Sequence, residues 1–275
     1  MVTGQSNILD GLSYFGSHSK EDIQSVGLVF EPNFFTAYFY ADNEAKEMVA
    51  LQEFDSTVPL LSHEIKSLKP LFALSFIGDF TIMPQQVFSE AEAGKYLAFN
   101  TSAGIDEAEW ERVIGLEAVL VYKRDDRSER AVDTVFPGLK LKHGLGALLE
   151  FCRQNLTGEN QIFLNQSGEI FQLVIFNQNG LVLANSITAG HAEDVRFYLL
   201  YSLKQLNMEG DPEITLLGSA AKNEPVISVL KPYFTSLSER KNKLKIVDRL
   251  AFPEISNPRL TAINWPGIYA SLCAL

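Results

Sequence analysis

The amino-acid sequence predicts an α/β protein built from two copies of one module. Each half of the chain begins with three short β-rich runs joined by turn residues. A segment with apolar residues at helical spacing follows each set of runs, and a short apolar run typical of a buried strand comes next. The two copies begin near residues 26 and 161, about 135 residues apart. The alternative is an unrelated two-domain α/β protein whose halves happen to share this order.

In the first half, hydrophobic and aromatic runs end at residues that favour turns. The predicted strands cover residues 26–30, 34–40, 47–54, 71–77 and 118–122. Glu-Pro-Asn and Asp-Asn turns separate the first three strands. Apolar residues between Leu60 and Leu68 recur at helical spacing, and Pro70 ends this segment. Ser89 and Glu92 have capping-box spacing, which predicts the start of another helix.

The second half repeats the same signals. The predicted strands cover residues 161–165, 169–177, 181–187, 214–217 and 244–247. Gln-Ser-Gly and Gln-Asn-Gly separate the first three, and Asn-Gly is a strong hairpin signal. A helix that begins at Asp194 has an apolar face of Val195, Leu199, Leu203 and Leu206, widened by Phe197, Leu200 and Tyr201. Another helix is predicted from Pro225 to Pro232.

Composition and charge restrict the classes of function. The chain has 275 residues, of which 46% are hydrophobic, enough for two buried cores. Its formal net charge of −11 repels phosphate backbones and anionic lipid headgroups, so neither nucleic acid nor membrane insertion is expected. Cys152 and Cys273 are too few for a disulfide framework, and neither an export signal nor a membrane span is predicted. We therefore expect a cytoplasmic protein with reduced thiols.

The order of elements identifies the module. A meander of three strands followed by alternating helices and strands is typical of the ribonuclease-H-like module, a mixed sheet with helices on its faces. Two such modules in succession form the actin-like ATPase fold, and the predicted lobes are residues 1–158 and 159–275. A ribonuclease-H-type nuclease would need several carboxylates to bind two metal ions. The strand over residues 26–30 has none.

Three stretches carry a resemblance to known proteins: residues 26–30 (VGLVF), 80–88 (FTIMPQQVF) and 196–206 (RFYLLYSLKQL). In these stretches the chain resembles an uncharacterised bacterial family, a domain of unknown function with an actin-like ATPase fold. More distantly, it is similar to actin-like proteins of pilus and secretion assembly platforms. The matched residues are mostly apolar, so the resemblance implies a fold and assigns no chemistry.

The resemblance also implies where a nucleotide would bind. In working actin-like ATPases, the turn between the first two strands of each half has an acidic residue and glycines whose N–H groups surround phosphates. Here Glu31 is the available acid in the first half, but Pro32 has no N–H and no glycine is present. The second-half turn begins at Asn165, where an aspartate is expected, and contains Ser167 and Gly168. A neutral amide binds Mg²⁺ poorly, so neither ATP nor Mg²⁺ is expected as a cofactor.

The adenosine-contacting sequence of the superfamily is only half present. It consists of an apolar strand, two glycines and a hydroxyl residue, and here Gly218 and Ser219 follow the strand over residues 214–217. The same sequence is an ordinary connection between a strand and a helix. The candidates for a nucleotide site are Glu31, Asn165, Ser167, Gly168, Gly218 and Ser219. No catalytic residue is assigned.

Other patterns do not indicate an enzyme. The four histidines are scattered without a second ligand at metal-site spacing, so no metal is predicted. Cys152 lies in an apolar helical context typical of an inert buried thiol, and no Gly-x-Ser-x-Gly motif or Walker loop is present. The basic cluster at residues 240–243 with Lys245 fits a solvated loop, and the alternative is an RNA or partner patch.

These patterns favour an actin-like protein without ATPase activity that serves as a binding or assembly module for an unknown protein partner. The alternative is an ATP-binding or ATP-hydrolysing enzyme or switch that uses the candidates named above in an unconventional cleft. Apolar residues at near-helical spacing between Trp265 and Leu275 offer a candidate partner surface. The same spacing also fits a helix that packs on its own lobe.

Overall fold

The computed structural model describes residues 12–14, 17–43, 48–55, 63–156, 158–167, 169–208, 212–217, 220–236 and 244–246. Within them the chain folds into two compact units. The described residues of the first unit lie in 12–113 and 117–147, and those of the second lie in 114–116 and 148–246. Each unit has its own mixed sheet and its own apolar core.

The first unit contains, in chain order, β1 (Ser13–Tyr14), β2 (Ser25–Phe30), β3 (Phe34–Tyr40), β4 (Met48–Asp55), α1 (His63–Lys66), β5 (Lys69–Ser75), β6 (Phe80–Pro84), α2 (Ala93–Asn100), β7 (Ala108–Val113), β8 (Ala118–Lys123), α3 (Asp126–Val135), β9 (Leu141–His143) and the start of α4 (Gly144–Gln154). Its six-stranded sheet has the order β1-β4-β3-β2-β5-β9. Strands β2, β3 and β4 form an antiparallel meander, and β5 and β9 continue the sheet in parallel with β2.

The central strand β2 is buried on both faces, as its continuous apolar sequence predicts. Because side chains alternate along a strand, Val26, Leu28 and Phe30 point to one face. There they join a core cluster that includes Ile65 of α1 and Val132 of α3. These two helices therefore cover that face of the sheet.

A separate layer is inserted between β5 and α3. Strands β6, β8 and β7 form a three-stranded antiparallel sheet, and α2 packs on it through Ala93 and Leu97, in one cluster with Val119 and Val121. A Cβ at Gly94 of α2 would overlap the carbonyl oxygen of Ile105. Glycine at this position thus allows the helix to approach the neighbouring backbone.

The second unit contains the rest of α4, then β10 (Gln161–Ser167), β11 (Ile170–Asn177), β12 (Gly180–Thr188), α5 (Ala192–Gln205), β13 (Glu213–Leu217), α6 (Ala220–Ser236) and β14 (Leu244–Ile246). Its sheet has the order β12-β11-β10-β13-β14. The predicted Asn-Gly turn joins β11 to β12, and Gly180 adopts φ +118° there. Val195 and Leu199 of α5 pack into the core with Val226 and Leu230 of α6.

The two sheets share one topology, which confirms the predicted fold. In each sheet, the first strand of the meander lies between an antiparallel second strand and a parallel fourth strand. In each, a helix connects the third strand to the fourth. Both units therefore have the ribonuclease-H-like order of elements, and together they give the actin-like ATPase fold.

Several predicted boundaries differ from the structure, and three of the differences have a clear physical reason. Strand β10 continues to Ser167 because its last two residues still pair with β11. Pro70 lies inside β5 opposite Val26, next to an irregularity of register where its missing N–H is tolerated. Helix α6 continues through Pro232 to Ser236, and its buried Leu230 keeps it packed on the core. None of the helices among the described residues is long and apolar enough to cross a membrane.

Candidate functional site

The first predicted phosphate turn is a tight hairpin between β2 and β3. The N–H of Glu31 donates to the carbonyl of Phe34 at 2.9 Å, which closes the hairpin. Pro32 and Asn33 are exposed at its tip. One amide of the turn is thus used inside the hairpin, and the next residue, Pro32, has no amide hydrogen.

The second predicted turn is shorter than expected, and Asn165 lies inside strand β10. Asn165 is buried directly opposite Gln172 of β11, and its side-chain amide donates to Oε1 of Gln172 at 2.7 Å. Because strand pairing places it there, Asn165 belongs to the sheet and not to the loop. Its side chain has a specific structural partner in the neighbouring strand.

The other candidates are only partly covered by the described residues. Ser167 ends β10 opposite Ile170. Gly168, Gly218 and Ser219 lie outside the described residues, as do the proposed partner surface at 265–275 and the basic residues 240–243. In the second unit Asn165 pairs with Leu217 of β13, so the sheet brings the ends of these two parallel strands together.

A pocket that the sequence did not predict lies in the first unit, at the carboxyl ends of the parallel strands β5 and β9. This shallow pocket has a cavity volume of about 10 Å³, the space of about one water molecule, and its lining includes Ser75, Tyr122, Asp125, Lys142 and His143. Ligands of open α/β sheets commonly bind outside the carboxyl ends of the strands. Its position therefore makes it a candidate contact point for a small polar group.

Ser75 and Asp125 form the hydrogen-bonded side of this pocket. The hydroxyl of Ser75 donates to Oδ2 of Asp125 at 2.7 Å and accepts the N–H of Ile77 at 3.1 Å. The other carboxylate oxygen of Asp125 accepts the N–H of Ser128 at 3.2 Å and so caps α3. These bonds fix the positions where the inserted layer leaves and rejoins the sheet. They also occupy the Ser75 hydroxyl as both donor and acceptor.

His143 forms the aromatic side of the pocket. Its ring packs against Tyr122, at 5.1 Å between centroids, and against Phe80 at 5.7 Å. Burial lowers the pKa of His143 to about 4, against the opposing effects of the Gly78 carbonyl and the Asp125 charge.

The neutral ring of His143 has a defined tautomer. Nδ1 accepts the N–H of Leu145 at 3.2 Å, so the proton resides on Nε2. Nε2 is buried without an acceptor in ideal geometry among the described residues, although a hydrogen bond to the Gly78 backbone contributes to the pKa of His143. The ring carries no positive charge at neutral pH.

The charged side chains near the pocket are partly paired. The Lys123 ammonium lies 3.0 Å from Glu107, and Arg124 Nε lies 2.8 Å from Glu109. These contacts raise the pKa values of Lys123 and Arg124. The described residues contain no cluster of three or more His, Cys, Asp or Glu side chains that could hold a metal ion.

A second unexpected feature is an aromatic surface in the second unit. It consists of Phe197, Tyr198 and Tyr201 of α5, which are 62%, 41% and 52% exposed, and Tyr233 of α6, which is 39% exposed. The guanidinium of Arg196 lies 5.3 Å from the centre of the Tyr233 ring. We call these four aromatic residues the α5 aromatic surface.

Phe197 and Tyr201, predicted to widen the apolar face of α5, do not pack on the core. Val195 and Leu199 already fill that face, and Leu200 is partly buried beside them. At 100° per residue, Phe197 and Tyr201 fall on the opposite side of the helix, so packing of α5 leaves them in solvent.

Comparison with known proteins supports the fold. A family described as a protein of unknown function, DUF3822, matches residues 33–237, which is more than half of the chain. The chain belongs to this family. No curated protein matches the DUF3822 chain by sequence.

Two solved structures show the same architecture as this DUF3822 protein. One is a Bacteroides thetaiotaomicron protein with an actin-like ATPase fold and unknown function, with TM-score 0.65 and 17% identity over 80% of this chain and 92% of that one. The other is the PilM–PilN type IV pilus biogenesis complex, with TM-score 0.56 and 14% identity over 92% of this chain and 99% of that one. At these identities the likeness shows the fold alone.

The chemistry of the first-unit pocket follows from its groups. The lining combines the neutral ring of His143 with a serine and a carboxylate that already bind each other. Such groups suit hydrogen bonding to a polar ligand. Sequence reasoning missed them because Ser75 and Asp125 are separated by 50 residues. The only available signal was His143-Gly144 between a short strand and an apolar helix.

Proposed function

We propose that this DUF3822 protein is a non-hydrolysing member of the actin-like fold that acts as a binding or assembly module in the bacterial cytoplasm. The first hairpin carries the proposal. A phosphate-binding turn needs backbone N–H groups that point outward. Here the N–H of Glu31 donates to Phe34 within the hairpin, and Pro32 has no N–H to offer.

The second hairpin supports the same conclusion. Mg²⁺ prefers carboxylate ligands and bound water, whereas Asn165 presents a neutral amide. That amide is buried and donates to Gln172 in the sheet. A metal-bound nucleotide would have to break this bond or bind elsewhere, so we assign neither ATP nor Mg²⁺ as a cofactor.

Two observations support a protein as the ligand. The PilM–PilN structure, which shares this fold, is a complex of type IV pilus biogenesis, and by analogy we propose that this chain also acts through protein contacts. In addition, the exposed tyrosines and the neighbouring Arg196 are residue types enriched in the energetic centres of protein interfaces, including interfaces between copies of one chain.

Hydrolysis of ATP tests the first part of the proposal. Purified protein with saturating Mg²⁺–ATP should release phosphate no faster than a buffer control, and Glu31→Ala should behave in the same way. Glu21→Ala removes a different exposed carboxylate of the same unit and serves as the matched control. Steady turnover that is lost in Glu31→Ala and retained in Glu21→Ala would contradict the proposal and make Glu31 the catalytic acid.

Thermal unfolding with nucleotides tests binding separately from turnover. A ligand at a hundred times its dissociation constant adds about 2.7 kcal/mol of stability. We expect no shift in the midpoint with ATP or ADP, with or without Mg²⁺. A shift that needs Mg²⁺ and disappears in Glu31→Ala would favour the alternative, an ATP-binding switch.

A further inference from the structure

Helix α5 presents a stripe of four exposed residues on the side opposite its core face. Glu193, Phe197, Tyr201 and Lys204 are all exposed and follow one another at intervals of three or four residues. Such spacing places side chains above one another on a single helix surface. The aromatic residues occupy the middle of the stripe, and one charge lies at each end.

The aromatic middle of the stripe is not needed by the core of the second unit. Val195 and Leu199 pack into that core from the other side of the helix. Phe197 and Tyr201 instead lie with their rings nearly parallel, at 13° and 6.0 Å between centroids. They form a flat apolar face in solvent, and contiguous exposed apolar surface of this kind marks interaction sites.

The charges at the two ends of the stripe are opposite in sign. Neither Glu193 nor Lys204 makes an ion pair with another residue in the described part of the chain. They are 11 residues apart, which is about 16 Å along a helix. A surface with an acid at its N-terminal end and a base at its C-terminal end is complementary to an antiparallel copy of itself.

We propose that two copies of this chain associate through antiparallel contact of their α5 helices. Phe197 of each copy then faces Tyr201 of the other, and Glu193 of each copy lies beside Lys204 of the other. The contact is isologous, so each interaction occurs twice around a two-fold axis. This association goes beyond the proposed function and does not depend on whether the chain binds nucleotide.

Charge complementarity selects a second copy over an unrelated partner. The same helix surface supplies both halves of each ion pair, whereas a different protein would have to match the pattern independently. The chain has a net charge of −11, so two copies repel each other at long range. At about 0.15 M salt this repulsion is screened beyond roughly 8 Å, and contacts within the interface persist.

A charge-exchange experiment tests the arrangement. Sedimentation equilibrium of the full chain between about 1 and 100 µM should show a concentration-dependent dimer. Glu193→Lys alone and Lys204→Glu alone should each be monomeric. In a dimer of either variant, two like charges would lie beside each other at both ends of the interface. An equal mixture of the two variants should dimerise again, since every pair is then opposite in charge.

Aromatic variants separate the interface from folding. Phe197→Ala with Tyr201→Ala should weaken the dimer at least about tenfold. At a concentration where the unchanged chain is monomeric, the same variant should leave the thermal midpoint unchanged. Phe99→Ala removes an 87% exposed aromatic ring from α2 in the first unit, and this matched control should leave the dimer intact.

Three results would overturn the two-fold interface: a monomer at about 100 µM, a dimer that none of the α5 variants changes, or a mixture of charge variants that stays monomeric. A chain that remains monomeric but uses the α5 aromatic surface to bind a different protein would likewise overturn it. ATP hydrolysis is measured separately, so failure of this proposal is distinguishable from failure of the proposed function.

Discussion

The first and second units repeat one strand order, but they differ in the segments that connect the strands. Between the third and fourth strands of the shared order, the first unit has the four-residue α1, whereas the second has the fourteen-residue α5. After the fourth strand, the first unit inserts the layer of β6, β7, β8 and α2 before α3. In the second unit only two residues separate β13 from α6.

This difference shows how one strand order supports two kinds of surface. In both units the first two strands of the meander are mostly buried, so packing leaves little freedom there. The connections lie at the strand ends and on the faces, and they tolerate change. The first unit uses them to build a pocket around His143, whereas the second exposes aromatic rings on α5.

The largest expected effect distinguishes the two sides of α5. Leu199→Ala should lower the free energy of unfolding by about 2–5 kcal/mol, because the fully buried side chain leaves a cavity in the second core. Tyr201→Ala, two residues further along the same helix, should change it by no more than about 0.5 kcal/mol. Urea unfolding followed by circular dichroism measures both. Equal losses would mean that Tyr201 packs inside and that the aromatic surface does not exist.

Lowering the pH should reduce stability through the buried His143 of the first unit and not through the buried Asn165–Gln172 pair of the second. The pKa of His143 is about 4 in the folded chain, below its ordinary value of 6.5. Between these values the unfolded chain takes up the proton first, so stability present above pH 6.5 is lost as the pH falls towards 4. The loss amounts to about 3 kcal/mol.

The variant His143→Asn tests this titration, because the Asn carbonyl oxygen replaces Nδ1 as acceptor for Leu145 and does not titrate. The stability of the unchanged chain relative to this variant should fall by about 3 kcal/mol between pH 7 and pH 4. In the second unit, Gln172→Leu changes a pair that does not titrate, so it should keep the acid dependence of the unchanged chain. A constant difference between His143→Asn and the unchanged chain would show that His143 is not buried as a neutral ring.

The inserted layer provides the next comparison. Gly94→Ala should destabilise the chain by about 1–3 kcal/mol, because the new Cβ would meet the backbone of Ile105, which has little room to move. Gly190 lies just before α5 in the second unit, and no atom lies within 4 Å of the place where its Cβ would be. Gly190→Ala should therefore have almost no effect on thermal unfolding. If both variants behave alike, α2 does not approach Ile105 as closely as described.

Local patterns were sufficient to predict the shared frame. Each meander combines β-rich runs with turn residues, and these signals act between neighbours in the chain. Core residues of α5 such as Val195 and Leu199 recur at helical spacing, so that helix was also predictable. The order of strands and helices then identified the fold without any information on contacts.

The pocket and the exposed surface depend on contacts that local patterns do not contain. Ser75 meets Asp125 only after an inserted sheet has folded between them. Asn165 looked like a turn residue because its sequence neighbours favour turns, but pairing with Gln172 extends the strand past it. Phe197 and Tyr201 are apolar, and hydrophobicity alone does not show that the core was already filled by other side chains.

The smallest expected effects compare how two helices begin. In the first unit Asp125 accepts the N–H of Ser128 and the hydroxyl of Ser75, so Asp125→Ala removes a cap and leaves a buried serine without its acceptor. We expect a loss of about 1–2 kcal/mol in urea unfolding. Among the described residues of the second unit, the Asp194 carboxylate accepts the exposed N–H of His191 at 3.1 Å, and Asp194→Ala should cost about 0.5 kcal/mol. Ser75→Ala combined with Asp125→Ala should cost less than the sum of the two single changes, because one hydrogen bond is counted in both. If the two losses of unfolding free energy add strictly, the Ser75–Asp125 hydrogen bond does not stabilise the point where the inserted layer joins the sheet. The N-terminus of α3 would then be stabilised no differently from that of α5.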